Sequence, residues 1–217
     1  MKITLKDGSF KEYESAMAVI DIAKDISEGL ARVACVAEVD GKIVDLRTTV
    51  DKDCTLNILT FDSEEGKKAY RHTCAHVMAE AVKHLYPNAK LTIGPAIDNG
   101  FYYDMPSLTR EDLDAIEKEM KKIIKKGDKL EYFTLPKDEA IKLMTERDEP
   151  YKVEMIKEHG DDETLSFYQQ GDFIEFCAGP HLMSTKQIKA FKLTSSSGAY
   201  WRGDEKNKML TRVYGTA

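Results

Sequence analysis

Ile3-Thr-Leu-Lys-Asp-Gly-Ser-Phe-Lys-Glu-Tyr13 places two short runs on either side of an Asp-Gly turn, the pattern of a β-hairpin. Residues 16–26 follow with Val19, Ile22, Ala23 and Ile26 at helical spacing, and Gly29 is the expected stop. Residues 33–39 and 42–46 flank a second tight turn, Asp40-Gly41, and residues 56–60 read as a closing strand.

Hairpin, helix, hairpin and strand within about sixty residues is the element order of a β-grasp, ubiquitin-like domain, expected over residues 1–61. This unit has no histidine, and its acids and lysines alternate as on a solvated surface. It is therefore expected to fold separately and to carry no catalytic residue.

Residues 62–217 form the second expected domain. Asp62-Ser-Glu-Glu65 reads as a linker and cap into a helix that Pro87 stops after Tyr86. On that helix Tyr70, Cys74, Val77, Met78, Ala81, Val82 and Leu85 form one apolar stripe. Strands are expected at 91–93 and 101–103 around Asp98-Asn-Gly100. A second long helix should run from Thr109 to near Gly127, followed by a strand at 130–135 and short helices at 138–147 and 151–158. Strands at 165–168, 173–176 and 191–201 complete a mixed α+β domain with a sheet and two longer helices. The fold class of the whole chain is thus α+β.

Two four-residue spacings carry the chemistry: His72-Thr-Cys-Ala-His76 and Cys177-Ala-Gly-Pro-His181. At about 100° per residue, His72 and His76 lie roughly 150–200° from the middle of the apolar stripe, beside small Ala75 and Ala79 that leave room for a ligand. Gly179-Pro180 excludes a helix, so Cys177 and His181 should sit on a turn after the strand ending at Phe176. One pair from a helix face and one from a strand-end turn is how converging sites are built. Such a set can hold a divalent ion in N/S geometry or act as a metal-free, proton-shuttling hydrolytic site.

Composition sets limits on function. The chain has 217 residues, 32 Lys and Arg against 38 Asp and Glu, and a net charge of -6, which argues against binding nucleic acid by bulk electrostatics. Lys118, Lys121, Lys122, Lys125, Lys126 and Lys129 cluster after acidic residues 111–119 and read as a solvated helix matched to its own dipole. No apolar run approaches the roughly 20 residues that cross a bilayer, and the start has no signal-peptide core, so a cytoplasmic location without membrane contact is expected. Cys35, Cys54 and Cys74 read as small buried hydrophobes. Phosphate-loop, dinucleotide and serine-esterase motifs do not occur.

The stretches 72–76, Ile93-Gly-Pro-Ala-Ile-Asp-Asn-Gly-Phe-Tyr-Tyr-Asp104, Tyr151-Lys-Val-Glu154, 177–181, Gly198-Ala-Tyr-Trp-Arg-Gly-Asp204, Asn207-Lys-Met-Leu210 and Tyr214-Gly-Thr-Ala217 resemble, in order, the N-terminal half of bacterial threonyl-tRNA synthetases. The first unit is similar to that family's TGS domain. The second is similar to its editing domain, which alanyl-tRNA synthetases share. Two positions depart from the family: Ala178 stands where Arg is usual, and the loop Met105-Pro-Ser-Leu-Thr109 is short. Glu175 stands where the family often has Asp.

The resemblance implies hydrolysis of serine from mischarged Ser-tRNA(Thr). His72, His76, Lys152, Cys177 and His181 would be catalytic, and Tyr102, Tyr103 and Glu175 would bind substrate. His72 would orient the water, and Lys152 would stabilise the leaving ribose oxygen. No metal is expected at this site. The aminoacylation domain would follow Ala217, so the chain reads as a fragment. ATP, Mg and the synthetic-site zinc would belong to that missing part, as would the contacts of a homodimer. The partner expected here is the 3′ end of tRNA(Thr) carrying serine. The rival readings are a zinc-dependent deacylase of alanyl type and a non-catalytic tRNA-binding module with structural zinc.

Overall fold

The computed structural model describes residues 1–106, 108–161 and 163–217. Strands β1 (Lys2–Leu5) and β2 (Phe10–Glu12) form the first hairpin, with Ile3 opposite Lys11. A short strand, β3 (Met17–Ala18), leads into α1 (Val19–Ile26). The helix ends at Ser27, whose extended backbone and side-chain oxygen cap a second helix, α2 (Glu28–Val33), by accepting the Leu30 N–H. Gly29, the expected stop, therefore lies inside α2, and Val33 closes a helix instead of opening a strand. Strands β4 (Ala34–Val39) and β5 (Lys42–Val44) form the second hairpin, and β6 (Thr49–Val50) pairs with β3. Then β7 (Cys54–Thr60) runs parallel to β1 and antiparallel to β4, giving the order β2-β1-β7-β4-β5. Ile3, Ile22, Leu46 and Leu56 fill its core, each contributing about 1.5–3 kcal/mol by burial.

Helix α3 (Glu64–Leu85) is the longest element, capped by the Ser63 hydroxyl accepting from Gly66 N–H. Every residue from Thr73 to Val82 is buried. The expectation of a single apolar face is corrected here. Ala75 and Ala79, expected to leave space, are fully buried, because small residues let neighbouring elements approach the second face closely.

Strands β8 (Ala96–Ile97) and β9 (Gly100–Met105) follow. Residues 91–93 are not a strand, although the Ile93 and Pro95 carbonyls accept from Asp104 and Tyr102 N–H. Ser107, in the loop noted above as short, lies outside the described residues. A one-turn 3-10 helix capped by Thr109 enters α4 (Leu113–Lys126), which Gly127 ends at φ 76. Next come β10 (Leu130–Pro136), α5 (Lys137–Glu146), α6 (Pro150–Lys157), β11 (Thr164–Gln170), β12 (Phe173–Phe176), β13 (Lys192–Tyr200) and β14 (Met209–Thr216).

The second unit's strands form two sheets, β10-β11-β12 and β13-β14-β9-β8. Strand β14 had no counterpart in the sequence reading, yet it is central to its sheet. Its burial does not alternate cleanly, so the period-2 signal is broken. The α4 lysines Lys121, Lys122 and Lys126 pair with Glu117, Glu119 and Asp128, as a solvated face would. Among the described residues, no helix is long and apolar enough to cross a membrane.

The two units share more than a linker. Cys35 of β4 joins the core of the second unit with Tyr70, Cys74 and Leu182, and Arg47 donates to the Leu130 and Leu182 carbonyls at 2.8 Å each. The junction is close at Gly66, where an added Cβ would lie 1.9 Å from the Thr60 carbonyl oxygen. A backbone atom cannot yield as a side chain can. Gly66→Ala should therefore lower unfolding free energy by about 2 kcal/mol or more, measured by urea titration. An unchanged midpoint would contradict this close approach.

Candidate active site

The i, i+4 spacing on α3 presents His72 and His76 on one side of the helix. Strand β12 delivers Cys177, which is fixed by two bonds to β11: its N–H donates to the Ser166 carbonyl at 3.1 Å, and its own carbonyl accepts from Ser166 Oγ at 2.8 Å. Beyond it the chain turns at Gly179, with φ 71. A Cβ there would sit 2.2 Å from the Tyr168 hydroxyl, so the turn requires glycine on two counts. The turn returns His181 towards Cys177.

The two pairs meet. Cys177 Sγ lies 3.4 Å from His72 Nε2 and 3.3 Å from His181 Nε2. The His181 ring centroid is 4.1 Å from that of His72 and 3.9 Å from that of His76. One ligand-capable atom from each of the four residues falls within 4.8 Å of the others.

The hydrogen-bond network assigns the tautomers. Thr73 Oγ1 donates to the Ala69 carbonyl at 2.8 Å and accepts from Leu182 N–H at 3.0 Å. Its contact with His181 Nδ1 at 3.1 Å is then a bond donated by the ring, which leaves His181 Nε2 as an acceptor. His72 is bonded to the Pro180 backbone, and its Nε2 also faces the thiol. A thiol has one proton, so it can satisfy only one of these two nitrogens. His181 is wholly buried, whereas His72 lines a cavity. The thiol therefore serves His181, and His72 Nε2 is left to receive a bond from whatever fills the cavity. His76 Nδ1 is also buried without a partner among the described residues.

That cavity has a volume of about 440 Å³. His72, His76, Cys177, Lys152, Glu175 and Tyr103 form one polar part of its lining, His159, Glu163, Thr164 and Ser166 another, and Ile93, Pro95, Met155 and Phe176 are among its apolar residues. An adjoining cavity of about 330 Å³ shares His72 and Pro95 and carries Lys68 and Arg71. Helix α6 directs Lys152 inward, where it pairs with Glu175 Oε1. Tyr103 donates to Glu175 Oε2 at 2.9 Å. Both members of the ion pair are buried, so each relies on the other to offset lost hydration. Outside the cavity, Glu149 accepts from Leu91 N–H at 3.0 Å and pairs with Lys83 at 2.7 Å.

Tyr102 is not brought to the cavity. Successive strand residues point to opposite faces, and its ring meets Arg212 at 3.9 Å and Tyr214 at 5.9 Å on the other side of β9. Ala178 sits on the cavity rim. Sequence reading also missed His159, Glu163, Thr164 and Ser166, which line the cavity, and Thr73, Tyr168 and Asp45, which hold the His181 turn from behind. Only Thr73 left a signal, inside the His72–His76 motif.

Burial decides the charge state. It lowers His72 to about 4, and together with the neighbouring imidazoles it holds His76 and His181 well below the usual range. It pushes the Cys177 thiol up to about 12. Burial also raises Glu175, against the pull of Lys152 and Tyr103. Near neutrality the cluster is three neutral imidazoles and a thiol. A protonated thiol is a poor nucleophile, so this arrangement suits activation of water over covalent catalysis by Cys177.

Two family models match the chain: the TGS domain over residues 1–60, and the threonyl and alanyl tRNA synthetase second additional domain over residues 165–214. The latter includes Glu175, Cys177 and His181, while His72 and His76 fall between the two matches. Similar relatives include the threonine–tRNA ligase of Acetivibrio thermocellus, 60% identical over 100% of this chain and 35% of that protein. Those of Clostridium botulinum strain Alaska E43 and Clostridioides difficile strain 630 are 58% and 56% identical, each over 100% of this chain and 34% of the relative. The chain thus spans about a third of the length of these curated relatives.

The depressed His72 has a consequence for stability. An unfolded imidazole takes its proton near pH 6.5, but folded His72 does so only near 4. Stability is complete above about 6.5 and is lost as pH falls towards 4, by about 3 kcal/mol from this group. Urea titrations at pH 7 and pH 4 should show a loss smaller by that amount in His72→Gln. Equal losses in both proteins would contradict the shift.

Proposed function

Because the chain belongs to the threonyl-tRNA synthetase family, whose TGS and second additional domains it carries, we propose that its cavity hydrolyses serine from mischarged Ser-tRNA(Thr). The observation that carries this reading is the cluster of His72, His76, Cys177 and His181 beside the Lys152–Glu175 pair at one cavity. A synthetic site built for threonine cannot strongly reject serine, because one methyl is worth only about 1–3 kcal/mol. A second, smaller site that admits serine and excludes the extra methyl supplies the missing discrimination.

In this reading a water accepted by His72 Nε2 attacks the ester carbonyl. The bond to the ribose oxygen breaks, and Lys152 protonates that oxygen. The proton released by water returns to Lys152 through the imidazoles and solvent. His76 lines the cavity beside that water, while His181 fixes the Cys177 thiol behind them. Glu175 holds Lys152 in place, and Tyr103 orients that carboxylate. The adjoining cavity with Lys68 and Arg71 gives the preceding nucleotides of the tRNA 3′ end a path.

The rest of the parent's biology follows from family membership. It would be a cytoplasmic homodimer whose aminoacylation region uses ATP, Mg and zinc. The editing cavity itself works without metal in this proposal. The compact N/S set favours one alternative, a zinc-dependent deacylase of alanyl type. If all four groups bound zinc, the ion would have no open position for water, so that alternative must leave one group free.

Deacylation by this chain tests the proposal. Ser-tRNA(Thr) should be hydrolysed at least about tenfold faster than Thr-tRNA(Thr), with no loss in chelator. Lys152→Ala should slow turnover by roughly 10²–10³-fold while keeping the serine preference. Equal rates on the two substrates would rule out editing, and stoichiometric zinc with chelator-sensitive activity would favour the alanyl-type enzyme.

A further inference from the structure

The turn that presents His181 is held from outside its own domain. Asp45 follows β5 in the first unit, and its Oδ2 accepts from His181 N–H at 3.2 Å and from the Tyr168 hydroxyl at 2.9 Å. Arg47, bound to Asp45 at 2.8 Å, donates to the His181 carbonyl at 3.3 Å and the Leu182 carbonyl at 2.8 Å. Both side chains are largely buried. The remaining backbone donor, Leu182 N–H, goes to Thr73. Thus the His181 peptide groups find no partner in a helix or strand, and both are satisfied by the first unit.

Tyr168 completes the wall. Its ring centroid is 4.6 Å from that of His181, and its hydroxyl occupies the space a side chain at Gly179 would need. Removing the charge on Asp45 would release Tyr168, the His181 backbone and Arg47 together. A buried guanidinium without its carboxylate would then be left facing carbonyls.

From this geometry we infer that Asp45 and Arg47 of the β-grasp unit are positioning residues of the hydrolytic site, which is incomplete without them. They act through His181, which accepts the hydrogen bond of the Cys177 thiol and so leaves His72 Nε2 free for water. The inference rests on the hydrolytic reading for its kinetic consequence, but its geometric content stands apart. It goes beyond the expectation that the first unit carries no catalytic residue: that unit supplies no reacting group yet sets where one of them stands.

The test uses the whole chain carrying Asp45→Asn, with Tyr168→Phe as a milder variant that removes only the hydroxyl bond. Asparagine keeps the shape but offers one acceptor and one donor where Arg47, Tyr168 and His181 all donate. Its kcat on Ser-tRNA(Thr) should fall about 10–100-fold with KM within about threefold, and Tyr168→Phe should fall less. Independently of activity, alkylation of Cys177 by iodoacetamide should accelerate at least about fivefold as its turn loosens, because Cys35, Cys54 and Cys74 stay buried. Unchanged kcat and unchanged Cys177 reactivity in Asp45→Asn would overturn the inference. So would an equal rise in reactivity of all four cysteines, which marks general unfolding. If the unaltered chain does not deacylate Ser-tRNA(Thr), the hydrolytic reading fails, and the Cys177 arm still decides the positioning claim.

Discussion

Three imidazoles and a thiol, gathered where α3 meets the 177–181 turn and largely withdrawn from water, impose the constraint from which the site follows. Each group can bury itself only in its uncharged form, because ionising inside a dry cluster loses hydration that no neighbour replaces. The thiol proton, the Thr73 hydroxyl and the Pro180 backbone are shared among the ring nitrogens. Lys152 and Glu175 are buried together as a pair, each offsetting hydration the other has lost. The result is a cavity with neutral acceptors on one wall and one compensated cation on another, a division suited to orienting water and stabilising a departing oxygen.

The same burial explains why α3 is the spine of the chain. Its N-terminus meets Thr60 of the first unit, its middle carries both histidines, and alanines on its second face let neighbours close over it. The turn 177–181 is locked on one side by Thr73 from this helix and on the other by Asp45 and Arg47 from the first unit. Site and domain junction are thus one structure, and forces that stabilise one stabilise the other.

The α+β class, the β-grasp order and the helix that carries His72 and His76 were legible in the sequence because turn dipeptides, caps and periodicity act locally. The approach of Cys177 and His181 was legible as two spacings with complementary backbone signals. What stayed hidden depends on tertiary packing. Nothing near Asp45 announces a partner more than a hundred residues away, and β14 lacks clean alternation because both faces are partly covered. Ala75 and Ala79 looked like space for a ligand because sequence cannot show what fills the gap beside a small residue. Tyr102 and Tyr103 look equivalent in the motif, yet strand alternation sends only Tyr103 to the cavity.

Side-chain nitrogen NMR of the histidines, assigned by single His→Gln substitutions and followed from pH 8 to pH 5, tests the uncharged cluster most directly. His72, His76 and His181 should remain neutral across that whole range, with His181 protonated on Nδ1. Any of the three gaining its second proton near pH 6.5, where a solvated imidazole does so, would contradict the desolvated site.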